Sequence, residues 1–139
     1  MSVDLGRFTD AQDAGGTYAS ALTELRRGSK TSHWMWFVFP QIAGLGRSST
    51  AVFYALASVD EARAYLAHPV LGPRLHDCVD ALLAVEGRTA EQILGGIDAI
   101  KLGSSMTLFA RADPSDAAFP AVLERYFDGE ADAATEALI

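Results

Sequence analysis

One stretch constrains this chain more than any other: His33-Trp34-Met35-Trp36-Phe37-Val38-Phe39-Pro40-Gln41, which holds both tryptophans of the protein. From Trp34 to Phe39 every side chain is apolar. As a strand, Trp34, Trp36 and Val38 would face one side and Met35, Phe37 and Phe39 the other. A strand needs a paired neighbour, and no other segment offers a convincing alternating run bounded by turn residues. As a helix, the run has Ser32 as a natural N-cap, and Pro40 pushes Phe39 out of helical geometry and ends it. The stretch is therefore expected to be a short helix, apolar on all sides and placed in the middle of a domain. Trp34 and Trp36, two positions apart, project to nearly opposite sides and are both expected in the core. His33 and Gln41 flank the run, where a buried framework meets solvent or a cavity.

The remaining patterns are also helical. Tyr18, Ala21, Leu22 and Leu25 form one face of a helix capped by Thr17 and closed by Arg26, Arg27 and Gly28. A flexible loop from Ile42 to Ser49 leads into a helical segment, 50–57. Ser58 and Glu61 have capping-box spacing, as do Thr89 and Gln92. Leu71, Leu75, Cys78, Val79 and Leu82 line a longer helix with Pro73 in its first turn. Asp98 is placed to cap a helix over 99–110, and Asp113-Pro114 reads as the start of another, whose buried side is Phe119, Val122, Leu123, Tyr126 and Phe127. The expected fold is all-α: a compact single domain over 1–139, with about seven or eight short helices around a central aromatic-rich helix.

Three segments also resemble a known family: the aromatic run, Tyr65-Leu66-Ala67-His68-Pro69-Val70-Leu71-Gly72, and Ser104-Ser105-Met106-Thr107-Leu108-Phe109. Together they are similar to the domain of unknown function 1810 family, sometimes labelled calpastatin-like. The resemblance runs from about Leu5 to Leu138 and implies a mainly helical fold and no particular reaction. One departure is Gly103, where the resemblance leads one to expect a longer, often basic residue.

Charge narrows the function classes. A net charge of −7 argues against a general nucleic-acid surface or an anionic membrane, though a local basic pocket remains compatible with it. The lone Cys78 excludes an intramolecular disulfide and a cysteine-based zinc cluster. No apolar run approaches the length needed to cross a bilayer, and a cytoplasmic location is the expectation. There are two lysines, Lys30 and Lys101, against nine arginines, and each lysine lies beside a motif-like segment. On a helix Lys101, Ser104 and Ser105 share a face that suits a phosphate or carboxylate, or else is the solvated side of an amphipathic helix. Gly44-Leu45-Gly46-Arg47-Ser48-Ser49 is a candidate anion-binding loop that lacks the signature of a P-loop. His33 is the catalytic candidate, as the base a nucleophilic Ser104 or Ser105 would need. The leading expectation is a pocket rimmed by Lys30, His33, Gln41, Arg47, Lys101, Ser104 and Ser105. It would bind, and in the enzymatic version hydrolyse, a small anionic, nucleotide-like metabolite, with no cofactor and no metal. The alternative is a non-catalytic helical interaction module.

Overall fold

Glycines at positive φ and prolines divide the chain into helices in a computed structural model that describes residues 4–139. α1 (Gly6–Asp13) leads through a single 3-10 turn to α2 (Thr17–Arg27), where Gly15 and Gly16 both take positive φ. α2 stops at Gly28 in the left-handed conformation, as its sequence predicts. α3 (Met35–Val38), α4 (Ser49–Tyr54), α5 (Val59–Ala67) and α6 (Leu71–Ala84) follow. α7 (Ala90–Leu94), α8 (Gly96–Ala112), α9 (Ala118–Phe127) and α10 (Ala133–Glu136) complete the fold. The domain is all-α. Among the described residues the one extended pairing is an isolated parallel bridge between Ile42 and Leu56, and no helix is long and apolar enough to cross a membrane.

Several helix ends differ from their sequence signals because another partner, local or distant in the chain, claims the capping residue. Thr17 does not cap α2; Gly16 occupies that position, and the Thr17 hydroxyl donates to the carbonyl of Ala14. Asp98 does not cap α8, which begins two residues earlier, and its carboxylate takes two lysines instead. Asp113-Pro114 forms a turn in which Asp113 accepts from the amide and hydroxyl of Ser115, and α9 starts only at Ala118. The Thr89–Gln92 capping box is complete. At Ser58 only half of the box forms, because the Glu61 carboxylate goes to Arg7 and to the amide of Ala57.

α8 is the longest helix, at 17 residues, and it packs against α5, α7, α9 and α10. Residues 102–109 are buried on every side, so small and hydroxylated residues stand where neighbours approach closely. A Cβ on Gly103 would lie 3.2 Å from the Phe127 ring. A longer residue there would therefore have to displace that ring. The hydroxyl of Thr107 donates back to the carbonyl of Gly103. α5 and α6 meet more tightly still: a Cβ on Gly72 would stand 2.2 Å from the backbone oxygen of Leu66.

The aromatic run is helical, but for only one turn, packed against α1 and α4. Ser32 is not its N-cap. Trp34 occupies that position without a side-chain capping bond, while Ser32 is drawn to Glu24. That buried carboxylate accepts from the amides of Thr31 (2.7 Å) and Ser32 (3.0 Å), from the Ser32 hydroxyl, and from the indole Nε1 of Trp34 (3.1 Å). Burial alone would raise its pKa, yet these donors favour the charged form and hold it at about 2. The chain thus enters α3 with Trp34 fully enclosed, and Met35, Val38 and Phe39 follow it into the core. Trp36 departs from expectation. It is only part-buried and forms a wall of a cleft, because a single turn can enclose one side while its other side stays open.

Two stability outcomes follow. Gly72→Ala should cost about 1–3 kcal/mol in denaturant unfolding, because backbone is what the new methyl meets. Glu24→Gln should cost about 1.5–3 kcal/mol at neutral pH. A carboxyl with a depressed pKa stabilises the fold above its unfolded pKa and loses that contribution as pH falls towards its folded value. The gap in melting temperature between wild type and Glu24→Gln should therefore narrow between about pH 4.5 and pH 2, as measured by calorimetry across that range.

Candidate functional site

A cleft of about 460 Å³ opens between the loop before α4 and the first turns of α8. The loop is held in place from behind. Leu56 donates its amide to the carbonyl of Gln41 and accepts from the amide of Ala43, both at 2.8 Å. Gly46 is needed because a Cβ there would stand 2.5 Å from that of Ala51. Leu45, Gly46, Arg47, Ser48 and Ala51 form one wall, and Ile97, Ile100, Lys101 and Ser104 form the other. Trp36 and Gln41 contribute from the aromatic run, and Asp132 and Ala134 from α10 and its cap.

Four of the seven sequence-predicted residues meet here: Gln41, Arg47, Lys101 and Ser104. Ser105 does not. It is fully enclosed in the core, and its Oγ has no hydrogen-bond partner among the described residues. His33 lies exposed on the turn before α3 and is absent from the cleft wall. Among the described residues no hydrogen bond joins it to either serine, so the structure assembles no Ser–His pair. Lys30 lies behind the wall. Its ammonium donates to the carbonyl of Ser32, sits 5.0 Å from the Trp34 ring centre, and pairs with Asp98 at 3.0 Å.

That pairing shapes the electrostatics of the site. Asp98 also contacts Lys101, at 3.4 Å, so two ammoniums share one carboxylate and leave one positive charge. Lys30 is the more buried partner, with a side chain 7% exposed against 20% for Lys101. The uncompensated charge accordingly appears on the cleft side, where the Lys101 ammonium lies over Trp36, 4.2 Å from the ring centre. Arg47 adds an exposed guanidinium that makes no ion pair among the described residues.

Sequence reasoning missed Trp36 as a wall and Asp132 altogether. Asp132 is the N-cap of α10, a role its spacing from Thr135 could have signalled. Nothing in the sequence places it against Ser104, 28 positions away, whose hydroxyl donates to it at 3.2 Å. A second hollow, of about 730 Å³, lies on the other side of Ile97 and Ile100, towards Tyr126 and Phe127, and has Glu91 but no cation in its wall. Among the described residues no three His, Cys, Asp or Glu side chains gather in a metal-binding group.

A family model described as "Protein of unknown function (DUF1810)" matches residues 2–139. The crystal structure of the conserved hypothetical protein Rv1873 from Mycobacterium tuberculosis is 51% identical. Its alignment covers 98% of this chain and 96% of that one, with a TM-score of 0.94. No curated protein matches the chain.

The charge arrangement has a direct optical readout, because Trp34 is enclosed and Trp36 faces the cleft. Despite the protein's net negative charge, iodide should quench the accessible emission more than caesium does, being drawn to Lys101. Lys101→Met should reduce that excess most, leaving only the contribution of Arg47. Lys30→Met should reduce the excess as well, since Asp98 would then face Lys101 alone, while quenching by neutral acrylamide stays the same. Equal quenching of the wild type by the two ions would mean that the cleft carries no net positive charge.

Proposed function

The chain belongs to the DUF1810 family, and because that membership assigns no reaction, we propose from the cleft itself that the protein binds a small anionic, nucleotide-like metabolite. The observation that carries this reading is the Lys101 ammonium held over the face of Trp36 in a cleft that Arg47 also lines. An aromatic face and adjoining cations suit a planar ring and the anion attached to it. The rest of the wall fits the same class: apolar Leu45, Ile97 and Ile100 surround a few polar groups, in a volume typical of small-molecule sites. Both lysines are partly withdrawn from solvent by the ion pairs around Asp98, which a freely solvated surface would not require. With His33 outside the wall, the reading put forward is one of binding.

A second reading, a helical interaction module, draws on Ile97 and Ile100, which are 74% and 66% exposed at the mouth of the cleft. Thermal-shift screening against a metabolite library separates the two, because a ligand of the folded state raises its melting temperature. Mononucleotide-like anions should stabilise the wild type. Lys101→Met keeps the apolar stem and should weaken that ligand about ten- to a hundredfold, the value of one charge-assisted contact. Lys101→Arg tests whether the compact ammonium matters beyond its charge. If no anion shifts the melting temperature, or Lys101→Met leaves the response unchanged, the ligand-binding reading falls and the interaction module takes its place.

A further inference from the structure

The cleft is not uniformly positive. Lys101 and Ser104 stand one turn apart on α8, about 4.5 Å along the axis, and beyond Ser104 the wall ends in the carboxylate of Asp132. This residue is fixed from two directions. Its amide donates to the Thr107 hydroxyl at 2.8 Å, and its Oδ2 accepts from the Ser104 hydroxyl, the Thr135 amide (3.0 Å) and the Thr135 hydroxyl (2.6 Å). All of these donors converge on Oδ2. Oδ1 has no hydrogen bond among the described residues, although Asp132 lines the cleft. A carboxylate oxygen is an acceptor only. One end of the cleft therefore attracts an anion, and the other repels anions and calls for hydrogen-bond donors.

We infer that the ligand of this cleft carries donors at the end opposite its anion, and that Asp132 is the specificity residue that accepts them. Within the nucleotide-like reading, on which this inference rests, the donors are the vicinal hydroxyls of a ribose. The aromatic ring lies against Trp36 and the phosphate against Lys101 and Arg47. A ligand lacking those hydroxyls offers no donor to the Asp132 carboxylate in the cleft it lines, which costs affinity. Inorganic phosphate alone meets only the cationic end.

The test compares ribonucleoside 5′-monophosphates with their 2′,3′-dideoxy counterparts, using Trp36 emission and melting temperature in wild type and in Asp132→Asn. Asparagine is itself a strong N-cap. Its carbonyl can keep the bonds to Ser104 and Thr135 while an NH₂ donor replaces Oδ1, so α10 stays capped and the cleft loses its acceptor. The wild type should prefer the ribo series about ten- to a hundredfold, and Asp132→Asn should erase the preference. Equal affinity for the two series in the wild type overturns the Asp132 assignment and leaves the nucleotide reading standing. A ribo preference that survives in Asp132→Asn also overturns the assignment, because the hydroxyl contact then lies elsewhere. Failure of both series to bind overturns the inference and the nucleotide reading together.

Discussion

A single buried carboxylate sets the geometry on which the cleft depends. Glu24, on α2, collects donors from the turn at Thr31 and Ser32 and from the indole of Trp34. An apolar run such as 34–39 has no intrinsic preference for which of its sides faces inward. The bond to Trp34 Nε1 fixes that choice, since a buried indole N–H requires a partner and Glu24 supplies it. With Trp34 fixed, Met35 and Val38 follow inward and Trp36 is left facing the loop and α8. Donors from Thr31, Ser32 and Trp34 also make the charged form of Glu24 the favoured one despite its burial.

Lys30 ties the same turn to α7 and α8. Its amide bonds to the carbonyl of Ile93 at 2.8 Å, and its ammonium reaches Asp98. One lysine thus positions the backbone of the turn and partly neutralises the carboxylate that would otherwise cancel Lys101. This is how a protein with a net charge of −7 keeps a local cation in a cleft: through short-range pairing in a partly dry setting, against the sign of its long-range field. Each tryptophan carries an ammonium over its ring, Lys30 on the core side and Lys101 on the cleft side, so the two lysine–aromatic pairs form consecutive layers of one structure.

The cleft is assembled from segments far apart in the chain: the end of the aromatic run, the glycine loop, the first turns of α8 and the cap of α10. Gly46 allows the loop to lie against Ala51, and the Ile42–Leu56 bridge holds its base. Below the cleft α8 passes into full burial, which explains why Ser104 and Ser105, neighbours in sequence, differ so much in role. Ser104 reaches Asp132 at the cleft's edge, whereas Ser105 points into the core.

The sequence by itself determined that this chain is an all-α domain. It also set most helix positions, because apolar period, Gly28, Pro40 and the Thr89–Gln92 box act over a few residues and need no distant partner. It pointed to Lys101, Arg47, Gln41 and Ser104 through residue type and local context. What it could not contain is where a side chain with two competing uses would go. Ser32 and Asp98 both have good local capping chemistry, and each is taken by a partner from another element, Glu24 for Ser32 and Lys30 for Asp98. Trp36 and Trp34 are equally apolar in sequence, yet one enclosed indole bonded to Glu24 leaves the other as cleft wall. Asp132 has the spacing of an ordinary cap for Thr135, and only folding packs Ser104 against it. Helix formation is decided by neighbours in the chain, and the cleft by neighbours in space.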